Sequence, residues 1–209
     1  MQLIIARPSP FARKVRIVLK EKGLAYSETV DVPWTPGTAV PAHNPLGKVP
    51  VLIFADGRRL FDSRVIVEAL ELMHPQPRLI PQEPEARITT LQVEALADGI
   101  CDAVVLMVLE AARLEALRSR DWIARQHAKV AAGIGELSRL LGERRHFVGD
   151  QLTLADVAAG SALAYADLRL PQLDWRNLYA NLVAFSARME QRPSFAQTKP
   201  EAQIIPPVG

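Results

Sequence analysis

At 209 residues the chain has room for one large domain or two small ones, with a substantial core in either case. Its 49% hydrophobic and 23% charged residues are those of an ordinary globular protein, and a net charge of +2 offers no basic field to a nucleic acid or an anionic membrane. The single cysteine, Cys101, excludes an internal disulfide, a dithiol redox motif and a multi-thiolate zinc site together.

Met1 to Pro8 carry no basic leader and too short an apolar run for a signal peptide. Ala103 to Leu109, the longest strongly apolar run, is far short of a membrane span, so a cytoplasmic location is expected. Leu3 to Ala6 reads as a buried strand. Ser9-Pro10 then opens a helix that runs to about Lys22, where Gly23 ends it. Phe11, Val15, Val18 and Leu19 share one face of that helix, and Arg13, Arg16 and Lys20 are assigned to the opposite, solvent face. Tyr26 to Val32 is a second strand, parallel to the first because a helix joins them. The Pro- and Gly-rich stretch Pro33 to Leu46 is a loop. Within it, Trp34 either plugs the core or lines a site, and the plug is the ordinary outcome.

Asn44-Pro45-Leu46-Gly47-Lys48-Val49-Pro50 forms a turn that leads into a strand, Val51 to Phe54. Pro50 has no N–H for a ladder and so belongs at a strand start or edge. Were the Val49–Pro50 bond cis, the N–H and C=O of Val49 would face outward, free to pair with an extended ligand. Asp56-Gly57 turns the strand back through Arg58 to Phe61, and Asp62-Ser63 opens a further helix to about Met73. His74 to Pro84, with four prolines, reads as a linker between a domain at 1–74 and a helical one at about 85–195. Helices are expected at 85–117, 121–142, 153–168 and 176–191, followed by an extended tail. In Leu152-Thr153-Leu154-Ala155-Asp156-Val157, Thr153 and Asp156 are spaced as a capping box, and Leu152 and Val157 as its hydrophobic staple.

The order of these features resembles that of the glutathione S-transferases, over nearly the whole chain. A strand–helix–strand unit, a Val-Pro strand with its hairpin, and an acidic-Ser helix start make up the N-terminal half of that family; its buried core helix begins with the same box and staple. The resemblance implies an α/β thioredoxin-like N-terminal domain and an all-α C-terminal domain. It also implies glutathione as co-substrate, a homodimer, and transfer of glutathione to a hydrophobic electrophile, peroxide or disulfide; no metal is expected, because His43, His74, His127 and His146 have no ligand spacing. A non-catalytic glutathione-binding protein of the same fold is the rival reading, since fold alone does not fix function. A thiol–disulfide enzyme is disfavoured because Ser9 cannot form a mixed disulfide.

Residue by residue, the resemblance gives Ser9, otherwise a plain N-cap, the role of hydrogen-bond donor to the glutathione thiolate. Val49, beside Pro50, would pair with the cysteinyl segment, and Lys48 would meet the glycyl carboxylate or remain solvated. Asp62 and Ser63, otherwise a helix start, would hold the γ-glutamyl ammonium and carboxylate. The family more often has Glu at the position of Asp62, and the shorter side chain puts a direct contact in question. Glu94, Asp98 and Asp102 form a like-charge stripe at four-residue steps, which ordinarily is solvated. In similar transferases an acid on this helix reaches across the dimer toward the partner's glutathione, a role that falls to Asp98, with Gly99 permitting close approach. Phe11, Trp34, Asp102 and Leu106 are the candidates for the electrophile site.

Overall fold

In the computed structural model, which describes residues 1–203, a four-stranded sheet has the order β2-β1-β3-β4. β1 (Gln2–Ile5) runs parallel to β2 (Ser27–Val30), joined by the crossover helix α1 (Pro10–Glu21). β3 (Val51–Ile53) pairs antiparallel with β1, with Val51 opposite Ile4, and β4 (Arg59–Leu60) returns antiparallel to β3. The Val49–Pro50 bond is cis, and Pro50 stands immediately before β3, outside the ladder. Strand alternation divides the apolar residues. Leu3, Ile5 and Leu52 join the main core, while Ile4 and Val51 meet Val40 of the short helix α2 (Val40–His43) on the other face.

α3 (Ser63–Met73) packs beside α1, and residues 74–83 form neither helix nor strand. Lys22 pins that stretch: its Nζ donates to the carbonyls of His74 at 2.8 Å and Pro77 at 2.9 Å, and lies 2.6 Å from Glu71 Oε1. Beyond it come α4 (Pro84–Ala111), a 3-10 turn at Glu115–Leu117, α5 (Arg120–Leu141), α6 (Leu154–Arg169), α7 (Trp175–Leu178), α8 (Ala180–Glu190) and α9 (Pro193–Ala196). An α/β thioredoxin-like half is thus followed by an all-helical one. No helix among the described residues is long and apolar enough to cross a membrane.

α6 is the core helix, buried along nearly its whole length. Its capping box is formed. Asp156 Oδ2 accepts from the Thr153 N–H at 2.8 Å and the Thr153 hydroxyl at 3.1 Å, and Oδ1 accepts from the Phe147 N–H at 3.0 Å. Leu152 and Val157 are both buried in the core, as the staple requires. Gly160 lets α9 approach: a Cβ there would stand 2.7 Å from a ring carbon of Phe195.

Four expectations are corrected. Arg13 and Arg16 are not on a solvent face but buried, as is Lys14 between them, because the helical half packs on that side of α1 and β2 adds a partner for Arg16. Arg13 donates to Glu190 at 2.7 Å, and Arg16 reaches Glu28 at 2.7 Å. The helix expected to reach residue 117 stops at Ala111, where Glu110 accepts the N–H of Ser119 at 2.7 Å and Ser119 caps α5. The helix expected at 176–191 is two, α7 and α8, with Tyr179 between them in a non-helical conformation, φ −131° and ψ 78°. The tail is not extended throughout: Pro193 sits in the first turn of α9, where its missing N–H costs nothing, and Thr198 is buried. Pro206 and Pro207 lie outside the described residues.

Candidate active site

A cavity of about 180 Å³ lies between the two halves. Ser9, Phe11, Trp34, Lys48 and Val49 line it from the α/β half, and Asp102, Val105, Leu109, Tyr165 and Arg169 from the helical half. Ser9 is the N-cap of α1, and its Oγ accepts from the Ala12 N–H at 3.2 Å. That bond uses one acceptor lone pair, and the hydroxyl keeps its proton to donate. The cap and a donor to an anion are therefore compatible roles for one side chain, at the positive end of a twelve-residue helix.

Asn44 shapes the neighbouring loop. Its buried amide donates to the Lys48 carbonyl at 2.9 Å and accepts from the Leu46 N–H at 3.0 Å. Gly47 takes the left-handed conformation, φ 61°, that this turn demands. The loop delivers Lys48 and Val49 to the cavity wall, and Val49 makes no backbone hydrogen bond among the described residues.

Asp62 and Ser63 open α3. Asp62 is the N-cap and accepts from the Arg64 N–H at 2.8 Å, while Ser63 is the first helical residue and is buried. Neither lines the cavity, but Asp62 and Arg64 stand close enough for Asp102 to feel their charge. Burial raises the Asp102 carboxyl above its ordinary value; Asp98 adds to the rise, and Lys48 and Arg64 oppose it. The Cys101 thiol is fully buried and pushed up by burial, which leaves it an inert core residue.

Of the acidic stripe on α4, Asp102 is exposed, but Glu94 and Asp98 are not solvated. Glu94 and Asp98 are 3% and 5% exposed, and both grip Lys14, itself 1% exposed. Lys14 Nζ lies 2.8 Å from Glu94 Oε1 and 2.8 and 2.9 Å from the Asp98 oxygens. Asp98 Oδ2 also accepts from Arg64 Nε at 2.9 Å. Within the chain Asp98 faces two cations, and a Cβ built on Gly99 would meet nothing within 4 Å. The cluster couples α1, α3 and α4, and it holds the Arg64 guanidinium over the start of α3.

Of the four electrophile-site candidates, Phe11, Trp34 and Asp102 line the cavity and Leu106 does not. Trp34, 36% exposed, is a wall of the cavity and not a core plug. Leu106 is exposed and outside the cavity; Val105 and Leu109, three and seven residues beyond Asp102, occupy the face that Leu106 was expected to share. Pro50 positions the strand but does not line the cavity. Sequence reasoning missed Lys14, Arg64, Tyr165, Arg169 and Gln203. A like-charge stripe flanked by apolar residues was itself the signal for Lys14, since buried carboxylates need a cation. For Tyr165 and Arg169, the signal was a polar pair one turn apart at the end of an apolar helix.

Family models agree with this geometry. The model described as glutathione S-transferase, N-terminal domain matches residues 8–73, and the one for the C-terminal domain matches residues 120–188. A glutathione S-transferase of Methylobacterium radiotolerans, solved in complex with glutathione sulfonate, is 50% identical with a TM-score of 0.95, over 98% of this chain and 96% of that one. One from Methylobacillus flagellatus, solved with glutathione bound, is 42% identical with a TM-score of 0.92, over 96% of this chain and 99% of that one. The uncharacterized GST-like protein YibF of Escherichia coli K12 is 36% identical, over 96% of this chain and 98% of its own. By its two matched domains, its sheet order and its full-length relatives, the chain belongs to the glutathione S-transferase family.

Proposed function

We propose that the protein is a glutathione transferase that binds glutathione along the α/β half, lowers its thiol pKa and presents the thiolate to an apolar co-substrate in the cavity. The observation that carries this reading is the placement of Ser9: a hydroxyl with an uncommitted proton, at a helix N-terminus, in the wall of an apolar cavity. A free thiol has a pKa of about 8.5, and lowering it by two units takes roughly 2.7 kcal/mol. One charge-assisted hydrogen bond together with a helix terminus supplies that much. The nucleophile is then the sulfur of glutathione, and Ser9 is not consumed.

In this reading the backbone of Val49 pairs with the cysteinyl segment as a short strand addition. Lys48 faces the glycyl carboxylate. The γ-glutamyl end lies over the start of α3, its ammonium toward Asp62 and its carboxylate toward Ser63 and the exposed N–H groups. Asp98 acts through Arg64, whose guanidinium it fixes beside that end. Residues 1–74 form the glutathione-binding domain, 75–84 the linker and 85–195 the helical domain that supplies the other wall. A cytoplasmic homodimer, with the exposed Val65, Leu72 and Ile88 of α3 and α4 against a second copy, completes the proposal.

Titration calorimetry with glutathione tests the binding step. Asp62→Ala should weaken glutathione about ten- to a hundredfold, the equivalent of 1.5–3 kcal/mol for a charge-assisted contact. An analogue lacking the γ-glutamyl amine should be weakened far less. Equal weakening of both ligands would reduce Asp62 to a helix cap.

A further inference from the structure

Thiol activation leaves one feature of the cavity unused. Its wall is mostly apolar, through Phe11, Trp34, Val105 and Leu109, yet it also includes Arg169. That side chain lies 5.9 Å from the centre of the Tyr165 ring, and its Nε is buried with no hydrogen-bond partner among the described residues. Gln203 lines the same cavity; its Oε1, an acceptor, is also buried without a partner, and its amide NH2 is the part that can donate to an anion. The charges that bear on Asp102, the acid of the same cavity, are those of Asp98, Lys48, Arg64 and Asp62, and Arg169 is not among them. Burial holds the Tyr165 hydroxyl neutral, with its pKa pushed up to about 12, so Tyr165 supplies no anion for Arg169.

A guanidinium with one buried N–H unmet is costly, and an arriving anion removes that cost. Its planar fork matches the two oxygens of a carboxylate. One guanidinium balances one charge, which favours a carboxylate over a doubly charged phosphate ester in so apolar a space. We propose that the co-substrate is an apolar electrophile bearing a carboxylate, which Arg169 binds and the Gln203 amide helps to orient. The assignment rests on the transferase reading above and names the substrate class for it.

Ethacrynic acid and its methyl ester test it, because they share one electrophilic alkene and differ only in the carboxylate. In both, the glutathione sulfur bonds to the terminal alkene carbon and the thiol's proton ends on the neighbouring carbon, with nothing lost. The parent protein should show a KM for the acid at least about tenfold below that for the ester. Arg169→Gln should raise the acid's KM about ten- to a hundredfold while leaving the KM of the ester and of glutathione within about twofold. Arg169→Lys should fall between. Equal changes for acid and ester in Arg169→Gln, or no preference in the parent, would overturn the assignment; the parent comparison needs no variant to fold. The saturated analogues of the two compounds, titrated calorimetrically without glutathione, separate this claim from the transferase reading. Tight binding of the saturated acid over its ester, lost in Arg169→Gln but with no turnover of either alkene, would uphold the anion site and refute the transferase. Turnover of both alkenes without that preference would do the reverse.

Discussion

Lys14→Met should cost about 3–5 kcal/mol of stability, the range expected when one partner of a buried ion pair is removed. Methionine keeps most of the volume, so packing is not the cause. The change strips the cation from Glu94 and Asp98, which are almost fully buried and one helical turn apart, and leaves only the half-exposed Arg64 on one Asp98 oxygen. Two neighbouring carboxylates then face each other in a low-dielectric interior. Protonated carboxylic acids escape this repulsion. The variant's folded state therefore takes up protons that the unfolded chain does not, and its deficit should narrow toward pH 4 and widen toward pH 7. The triple variant Lys14→Met, Glu94→Gln, Asp98→Asn should recover much of the loss. Urea denaturation at the two pH values measures both effects. A pH-independent loss below about 1 kcal/mol would mean that the cluster is well hydrated and not the buried tie described here.

Asp156→Ala is expected to cost about 2–4 kcal/mol, more than an ordinary helix cap, because two buried N–H groups lose their acceptor at once. One oxygen serves Thr153 within the helix start, and the other serves Phe147, nine residues back in the preceding loop. The carboxylate thus fastens a loop to the core helix as well as capping it. Thr153→Val removes the hydroxyl's part of the box but leaves both backbone N–H bonds to the Asp156 carboxylate, and should cost about 1 kcal/mol. If the box helps α6 to nucleate, Asp156→Ala should also refold more slowly. Equal costs for the two variants would show that the bond to Phe147 contributes nothing.

Local signals survived the passage from sequence to structure. The Val-Pro turn, the Asp56-Gly57 hairpin and the Thr153–Asp156 box each depend on residues a few positions apart, where backbone preference and side-chain reach decide the outcome. The placements that failed depend on a second element. A helix of alternating basic and apolar residues such as α1 predicts one wet face, but the carboxylates that bury Lys14 lie 80 and 84 residues away in sequence. Leu106 was misplaced for a related reason. α4 is packed by both α5 and α6, so its apolar residues surround more than one face and periodicity does not say which turns to the cavity. Arg169 and Gln203 meet in one cavity only through the packing of α6 against the chain's C-terminal segment, which no local pattern records.

The most direct test of thiol activation is the pKa of enzyme-bound glutathione in Ser9→Ala, followed through the ultraviolet absorbance of the thiolate. Removing a donor to the anion must raise that pKa, and the tripeptide itself should remain bound through Val49, Asp62 and Ser63. The account predicts a bound-thiol pKa below about 7 in the parent protein, rising toward the solution value of about 8.5 in the variant, with the dissociation constant of glutathione changed less than about threefold. A bound-thiol pKa in Ser9→Ala equal to that of the parent would contradict it, leaving Ser9 the cap of α1 and nothing more.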